Sequence, residues 1–296
     1  MNDTPQNLET AALLALLRAP GARWQQIADD VEEAGSARHV LERGAVGEQA
    51  SLLEEGAESA DLTAHIVELD AWTREGINVL TVLDADYPEN LRTVYDRPPL
   101  VFVAGDLRPG DSRSVAIVGT RRPTDDGIAR ARRIALHLAA SGYTVASGLA
   151  AGIDTTAHTA ALAAGGRTIA VIGTGLRRVY PKENAGLQAR IAEDGAVISQ
   201  FLPDAPPTKR SFPMRNGVMS GLALATVVVE AGEISGSRMQ ARLALQHNRP
   251  VFLLRSLLEH DWAASMQQRP GVYVVDEPEQ ITETIQRLTS PVLLTA

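Results

Sequence analysis

From residue 114 to the end of the chain, short apolar runs alternate with longer segments in which apolar residues recur at helical spacing. The run from Val115 to Val118 contains no polar residue, which is typical of a strand buried on both faces of a sheet. The predicted strands are 115–118, 143–146, 168–172, 196–199, 225–230, 250–254 and 272–275. The predicted helices are 126–141, 154–164, 182–194, 213–222, 235–247 and 278–288. This alternation predicts an α/β fold with an extended Rossmann-like, doubly wound, mostly parallel sheet.

The N-terminal part of the chain has a different pattern. Residues 7–75 carry apolar residues at helical spacing, interrupted by glycines. Two short β-prone runs follow, at 77–82 and 100–103. We therefore predict a small, acidic N-terminal helical domain over residues 1–76 and a Rossmann-like domain over residues 77–296, with its core at 112–255.

Charge is distributed unevenly along the chain. The net charge of −8 disfavours indiscriminate binding to nucleic acid. Residues 1–111 carry 8 basic and 21 acidic side chains, whereas residues 112–255 carry 18 basic and 9 acidic ones. A basic middle between acidic flanks predicts that the middle of the chain binds an anion. The alternative is that these arginines only solvate helix faces.

Several classes of protein are disfavoured by what the sequence lacks. The chain has no cysteine, and its six histidines are scattered without the paired spacing of metal ligands. The first predicted strand–helix turn lacks the Gly-x-Gly-x-x-Gly pattern of dinucleotide-binding enzymes. No apolar stretch approaches the roughly 18 to 20 residues of a membrane span, and residues 1–10 do not resemble a secretory signal. We therefore expect a cytoplasmic protein with no cofactor, no metal site and no membrane attachment.

Five predicted post-strand segments carry the candidate binding residues. Ligands of open parallel sheets bind beyond the carboxyl ends of the strands, where glycines allow close approach and helix N-termini and arginines attract phosphate. We expect these segments, read as loops, to form one concave site that favours anions. For the first segment the alternative is a tight turn with solvated arginines, and for the fourth it is a loop with a buried Phe212 and solvated charges. The candidates are Gly119, Thr120, Arg121, Ser147, Gly148, Gly152, Gly173, Gly175, Lys209, Phe212, Arg215, Asn216, Ser235, Gly236 and Arg238.

One pair of side chains suggests acid–base chemistry. Asp154 is placed as an N-cap of the predicted helix 154–164, and His158 follows four residues later on the same helix face. Such a pair can transfer protons, but it more often forms a structural hydrogen bond. No serine or cysteine nucleophile is evidently tied to it, so the sequence predicts no catalytic residue.

Taken together, the motifs resemble a known family. The segments VAIVGTRR, SGLAAGIDTTAH, IGTGLRRVYPKEN, FPMRN and VVVEAGEISGS, in this order, are similar to motifs of the DprA (also called Smf) family of DNA-processing proteins. The upstream segment 84–106 resembles the lead-in of the same family. The resemblance covers about residues 77–255.

The resemblance implies an extended Rossmann fold, a homodimer, and single-stranded DNA bound in a basic pocket at the carboxyl edge of the sheet. It also implies protection of incoming strands in natural transformation and help in loading the RecA recombinase, without chemical turnover. Residues 119–121 match the family's phosphate loop, and Ser147, Gly148 and Gly152 match its second glycine loop. Residues 212–216 match its Phe-Pro-x-Arg-Asn element.

Some positions depart from the family pattern. Gly217 stands where the family usually has an arginine, and Met214 stands where a basic residue is frequent. Arg255 and Ser256 replace a Pro-Gly pair, and residues 235–241 differ as well. The cation missing at Gly217 predicts a salt dependence of DNA binding flatter by about one unit, unless Arg238 replaces it. These departures suggest a specialised paralogue.

Two functional hypotheses follow. The first is a non-enzymatic protein that binds single-stranded DNA, with Phe212 either stacking on a base or packing in the core. The second is a sensor of a nucleotide or nucleotide derivative, or a hydrolase of an N-glycosidic bond, related to the lysine-decarboxylase-like LOG proteins. The LOG signature Pro-Gly-Gly-x-Gly-Thr is not found in this sequence, which weakens the hydrolase version.

Overall fold

Within residues 4–46 and 58–290, the part of the chain that the computed structural model describes, nine strands form one mixed sheet. The strands are β1 (Ile77–Thr81), β2 (Leu100–Gly105), β3 (Ser114–Val118), β4 (Thr144–Ser147), β5 (Thr168–Val171), β6 (Ala196–Ser199), β7 (Ala225–Val228), β8 (Val251–Leu254) and β9 (Val272–Val275). Their order across the sheet is β1-β2-β6-β5-β4-β3-β7-β8-β9. Strands β3 to β9 pair in parallel, whereas β2 is antiparallel to both β1 and β6. The predicted α/β fold with a mostly parallel sheet is confirmed.

Twelve α-helices are present in the same described residues. They are α1 (Pro5–Arg18), α2 (Trp24–Ala34), α3 (Ala37–Val46), α4 (Glu58–Arg74), α5 (Glu89–Arg92), α6 (Asp125–Ala140), α7 (Ile153–Ala163), α8 (Ala185–Asp194), α9 (Ser211–Leu222), α10 (Gly236–Gln246), α11 (Asp261–Met266) and α12 (Pro278–Thr289). None of these helices is long and apolar enough to cross a membrane.

The direction of winding reverses at β3. From β3 the chain proceeds to β4 and β5 on one side, and later to β7 and β8 on the other side. Because successive connections leave β3 and β7 in opposite directions, a crevice opens between the loops that follow these two strands. A ligand-binding cleft is expected at this point of a doubly wound sheet.

The alternation of side chains along β3 explains how both faces of the sheet are covered. Val115 and Ile117 pack in one apolar cluster, to which α6, α7 and α12 contribute. Ala116 and Val118 pack in the other, which includes residues of α9 and α10. Successive residues of a strand point to opposite faces, so an uninterrupted apolar run is required where both faces are covered.

One predicted loop is helical in the structure. Residues up to 212 were expected to be a loop before a helix that starts at residue 213, but α9 begins at Ser211, so Phe212 and Pro213 lie in its first turn. Proline is tolerated there because the amide groups of the first turn have no intrahelical partner. The predicted helix start at residue 213 is therefore two residues late. Phe212 and Arg215 are held in a helix rather than in a loop.

The N-terminal helices pack against the antiparallel edge of the sheet. Trp72 in α4 is buried, and its ring meets the ring of Phe102 in β2 edge-on, with centroids 5.3 Å apart. In α2, Glu32 forms ion pairs with Arg92 and Arg97 of the segment between β1 and β2. The helical content predicted for residues 7–75 is present in the described part of that range, and the domain boundary at residue 76 stays a prediction.

Candidate nucleic-acid interface

A cleft of about 500 Å3 lies at the carboxyl edge of the sheet, where the loops after β3 and β7 diverge. Four of the five segments predicted to converge contribute to it; the third one, which follows β5, does not. The residues that line the cleft are Val118, Gly119, Thr120, Arg121, Arg122, Ala150, Asp154, Phe212, Pro213, Arg215, Asn216, Met219, Gly232, Ile234, Ser235, Gly236, Ser237, Met239 and Gln240.

The loop after β3 carries the exposed cations of the cleft. Arg121 and Arg122 are both exposed. The guanidinium of Arg121 lies over the half-buried ring of Phe212, 5.6 Å from its centroid. A cation above an aromatic face is stabilised by the ring quadrupole, and the contact directs the guanidinium to the cleft. Phosphate groups and bases are the ligands that such a pair of groups contacts most readily.

The floor of the cleft is formed by Arg215, which is only 6% exposed. Its Nη1 donates to the carbonyl of Val171 at 2.9 Å, which ties α9 to the end of β5. Burial lowers the pKa of this arginine, and the nearby charge of Asp154 opposes that effect. Arg215 was predicted to bind phosphate; in the structure it lines the cleft from below, with most of its side chain removed from water.

Two further ionisable side chains lie beside Arg215. Burial raises the pKa of Asp154, and the positive charge of Arg215 acts in the opposite direction. Burial and, as the second cause, the charge of Arg215 together lower the pKa of His158 to about 3. His158 is therefore neutral at neutral pH.

Asp154 and His158 make separate structural hydrogen bonds. The carboxylate of Asp154 accepts from the backbone amides of Gly148 and Ala150, at 3.1 and 3.3 Å. Nδ1 of His158 lies 2.7 Å from Oγ1 of Thr168. Asp154 is not the N-cap that the sequence suggested, because α7 begins at Ile153 with Gly152 in the capping position. These contacts support a structural role for Asp154 and His158 rather than an acid–base pair.

Three predicted binding glycines are used for close packing within the protein. A Cβ atom at Gly119 would overlap the side chain of Ile153, and one at Gly148 would overlap the guanidinium of Arg215. Gly152 has φ +83° and lies so close to the first loop that a Cβ atom would be 2.5 Å from the carbonyl oxygen of Thr120. These glycines bring the first two loops together and make room for Arg215.

The third loop supports the cleft from behind. A Cβ atom at Gly173 would lie 2.9 Å from the ring of Phe212, and one at Gly175 would overlap the carbonyl groups of Leu202 and Pro203. The ring of Tyr180 lies 5.5 Å from that of Phe212, centroid to centroid. Gly173 and Gly175 therefore lie outside the cleft lining, contrary to the expectation that all five loops form one site.

The fifth loop leads into α10. Ser235 caps this helix, as predicted, by accepting a hydrogen bond from the amide of Ser237 at 3.1 Å. Gly236 has open space around it on the cleft side. Arg238 does not line the cleft: it forms an ion pair of 3.6 Å with Glu233, and its guanidinium lies 5.4 Å from the ring centroid of Trp262. Its predicted role in replacing the cation missing at Gly217 stays a prediction.

Besides Gly148 and Gly152, the candidates Ser147 and Lys209 also lie outside the cleft lining. Ser147 is fully buried, and its hydroxyl donates to the carbonyl of Ile117 at 2.6 Å, which links β4 to β3. Lys209 is exposed and precedes α9. Asn216, by contrast, lies in the cleft, and its side-chain amide donates to the carbonyl of Gly236 at 3.4 Å.

Comparison with known proteins identifies the family. The family model of DNA recombination-mediator protein A matches residues 78–286. The chain belongs to this family. Protein Smf of Synechocystis is 43% identical over 179 residues, which is 59% of this chain and 45% of that protein. Three curated Smf and DprA proteins are covered over 45%, 66% and 59% of their own lengths, so the chain spans about half to two thirds of these relatives.

Two solved DprA structures share the fold. DprA from Streptococcus pneumoniae is 30% identical, with a TM-score of 0.72, over 96% of this chain and 98% of that one. DNA processing protein A from Helicobacter pylori, described for its single-stranded DNA binding mode, is 28% identical with a TM-score of 0.63. That match covers 71% of this chain and 96% of the Helicobacter pylori chain. The resemblance to the DprA family and the Rossmann-like fold are thereby confirmed.

Two of the departures from the DprA motifs, Met214 and Gly217, lie in α9. A Cβ atom at Gly217 would be 3.5 Å from Oδ2 of Asp96, so a larger side chain here would meet a carboxylate. In this DprA-family protein, the other oxygen of Asp96 lies 2.7 Å from Nε2 of His247. Met214 is 47% exposed on the outer side of α9. Neither Met214 nor Gly217 is among the residues that line the cleft.

Sequence reasoning missed one residue that shapes the cleft. Glu230 follows β7 directly and lies within the quoted motif VVVEAGEISGS, but its side chain was not assigned a role. In the structure its carboxylate accepts hydrogen bonds from the amide and the hydroxyl of Thr124, 106 residues earlier in the chain. Its position at the carboxyl end of a predicted strand was the signal that could have found it.

Proposed function

We propose that this DprA-family protein binds single-stranded DNA in the cleft at the reversal point of its sheet, without chemical turnover. The observation that carries the proposal is the exposed pair Arg121 and Arg122 beside the half-buried ring of Phe212. Cations that contact phosphates and an aromatic face that contacts bases together suit a single strand of any sequence. The Helicobacter pylori relative supports the same ligand class.

The proposal includes the absence of catalysis. Asp154 and His158 are the ionisable pair closest to an acid–base arrangement, and both are buried and engaged in hydrogen bonds to other groups. A general base has to reach its substrate, and its pKa has to lie near the working pH. The low pKa of His158 is unsuited to this role.

The proposal extends to the biological setting implied by the family. Protection of incoming DNA, assistance to the RecA recombinase, a homodimer and a cytoplasmic location belong to it. The support for these points is membership of the DprA family and the similarity to the Streptococcus pneumoniae protein over nearly the whole chain.

A second candidate is a sensor of a nucleotide or nucleotide derivative. It is favoured by the size of the cleft, about 500 Å3, which falls in the range of small-molecule sites. The start of α10 also faces open space at Gly236, where a phosphate group can approach backbone amides. A sensor would saturate with a mononucleotide, whereas a strand-binding protein would gain affinity with strand length.

Fluorescence anisotropy with labelled oligo-dT of increasing length, in low and moderate salt, tests the proposal. Binding is expected to strengthen with length and to weaken with salt. Arg121→Ala should weaken binding several-fold and reduce the salt slope by about one unit. Arg190→Ala, an exposed arginine on α8 away from the cleft, is the matched control and should change little. No binding at tens of micromolar protein, or equal effects of both variants, would contradict the proposal.

A further inference from the structure

Glu230 contacts both ends of the segment that carries the exposed arginines. Its backbone carbonyl accepts from the amide of Thr120 at 2.7 Å. Its carboxylate accepts from the amide of Thr124 at 3.1 and 3.2 Å and from the Thr124 hydroxyl at 2.7 Å. Arg121 and Arg122 lie between these two anchoring points, so a single residue at the end of β7 holds the arc formed by residues 120–124.

The carboxylate is fitted against the first turn of α6. Gly127 leaves the space that it occupies, because a Cβ atom there would overlap Oε2 of Glu230. The hydroxyl of Thr124 in turn caps the helix by accepting from the amide of Gly127 at 3.0 Å. A negative charge at a helix N-terminus is stabilised by the helix dipole. The start of α6, which the sequence suggested as a phosphate site, is thus occupied by a side chain of the protein.

An exposed arginine binds phosphate more tightly when its backbone is already ordered, because less conformational entropy is lost on binding. The Thr120 end of the arc is also held by a second residue, since the carbonyl of Thr120 accepts from the amide of Ile153 at 3.2 Å. The carboxylate of Glu230 is the side-chain group that holds the Thr124 end. Losing it would leave the Thr124 end of the arc held by its contacts with α6 alone, those of Thr124 with Gly127 and Ile128.

We propose that Glu230 is a positioning residue for single-stranded DNA: it raises affinity by ordering Arg121 and Arg122, although its own charge repels phosphate. The inference rests on the proposed function. Electrostatics alone predicts the opposite result, because removing any carboxylate near the cleft should strengthen binding to a polyanion.

Glu233 provides the matched comparison. It lies three residues further along the same loop, carries the same charge, and contacts Arg238 and His260 rather than the arc. Glu230→Ala should weaken binding to a labelled oligo-dT roughly tenfold, the size expected for losing charge-assisted hydrogen bonds that order a binding segment. Glu233→Ala should strengthen it about twofold at low salt. Glu230→Gln, which keeps one acceptor oxygen, should fall between Glu230→Ala and the unmodified protein.

A second pair of variants tests the position of the Glu230 side chain without changing its carboxylate. Gly127→Ala should displace Glu230 and weaken binding, whereas Gly186→Ala, at a helical glycine with open space around it, should not. Thermal unfolding of each variant shows that it is folded. If Glu230→Ala does not fold, Glu230→Gln and Gly127→Ala carry the test.

A double-mutant comparison separates positioning from a general structural effect. In an Arg121→Ala, Arg122→Ala background, Glu230→Ala should cause no further loss of affinity, because the groups it positions are gone. An equal further loss there, or tighter binding by Glu230→Ala in the unmodified protein, would overturn the inference. If the unmodified protein does not bind oligo-dT at all, the proposed function fails instead, so the two failures are distinguishable.

Discussion

Individual residues at the floor of the cleft combine ionisable groups with near-complete burial. Asp154, His158 and Arg215 are 5%, 0% and 6% exposed. Each is removed from water, so each protonation equilibrium is displaced in the direction that disfavours the charged form. Displaced equilibria of this kind couple the stability of the fold to pH.

His158 should make the protein less stable as the solution becomes more acidic. The unfolded chain protonates this histidine below about pH 6.5, whereas the folded protein resists protonation until about pH 3. Stability is therefore lost as the pH falls through this window, with a slope of at most about 1.4 kcal/mol per pH unit. Urea unfolding between pH 7 and pH 5 should show this slope in the unmodified protein and a smaller one in His158→Gln. His39→Gln, at an exposed position, controls for the loss of one histidine, and equal slopes in all three proteins would contradict the prediction.

Residue types and positions could be predicted from the sequence better than residue roles. Arg121, Phe212 and Arg215 were expected at one site, and the structure brings them to one cleft. The roles of the glycines and of Glu230 depend on what lies opposite them after folding. Thr124 is 106 residues from Glu230 in the chain, and no local pattern specifies that pairing.

At the scale of secondary-structure elements, close approach between loops and helices determines the shape of the cleft. The second loop passes against the guanidinium of Arg215, and this contact is feasible because residue 148 has no side chain. The strand positions were predictable to within about two residues because buried parallel strands are continuously apolar. The start of α9 was predicted two residues late, at residue 213, because the residues before Pro213 resemble a loop by composition.

Two glycine-to-alanine changes should have opposite effects on stability. Gly148→Ala would force a methyl group into the buried guanidinium of Arg215, and overpacking of this kind costs about 1 to 3 kcal/mol. Gly186→Ala adds a methyl group in open space within α8, where alanine is favoured over glycine by about 1 kcal/mol. Urea unfolding midpoints should therefore move down for the first variant and up for the second. A Gly148→Ala protein as stable as the unmodified one would show that the Arg215 side chain moves aside freely.

At the scale of the whole molecule, the N-terminal helices and the sheet are joined by an apolar core and by ion pairs. Trp72 and Phe102 belong to one continuous buried cluster that extends from α1 to β2 and β6. Arg177, in the loop after β5, forms an ion pair with Glu75 at the end of α4, with a shortest distance of 2.7 Å. A shared core of this kind predicts that residues 1–76, although a separate domain by sequence, unfold together with the rest of the chain.

A variant confined to the N-terminal helices tests this coupling. Glu9 in α1 accepts hydrogen bonds from the amides of Ala37 and Arg38, at 2.6 and 3.2 Å, so Glu9→Ala should destabilise the start of α3 by about 1 to 2 kcal/mol. With Trp24 and Trp72 replaced by phenylalanine, the remaining tryptophan, Trp262, reports on the distant C-terminal part of the sheet domain. If the molecule unfolds as one unit, Glu9→Ala lowers the urea midpoint seen by Trp262 fluorescence and by circular dichroism equally, and Glu33→Ala, at an exposed position on α2, changes neither. A Trp262 midpoint that does not move would mean that the two parts unfold separately, as the predicted boundary at residue 76 would allow.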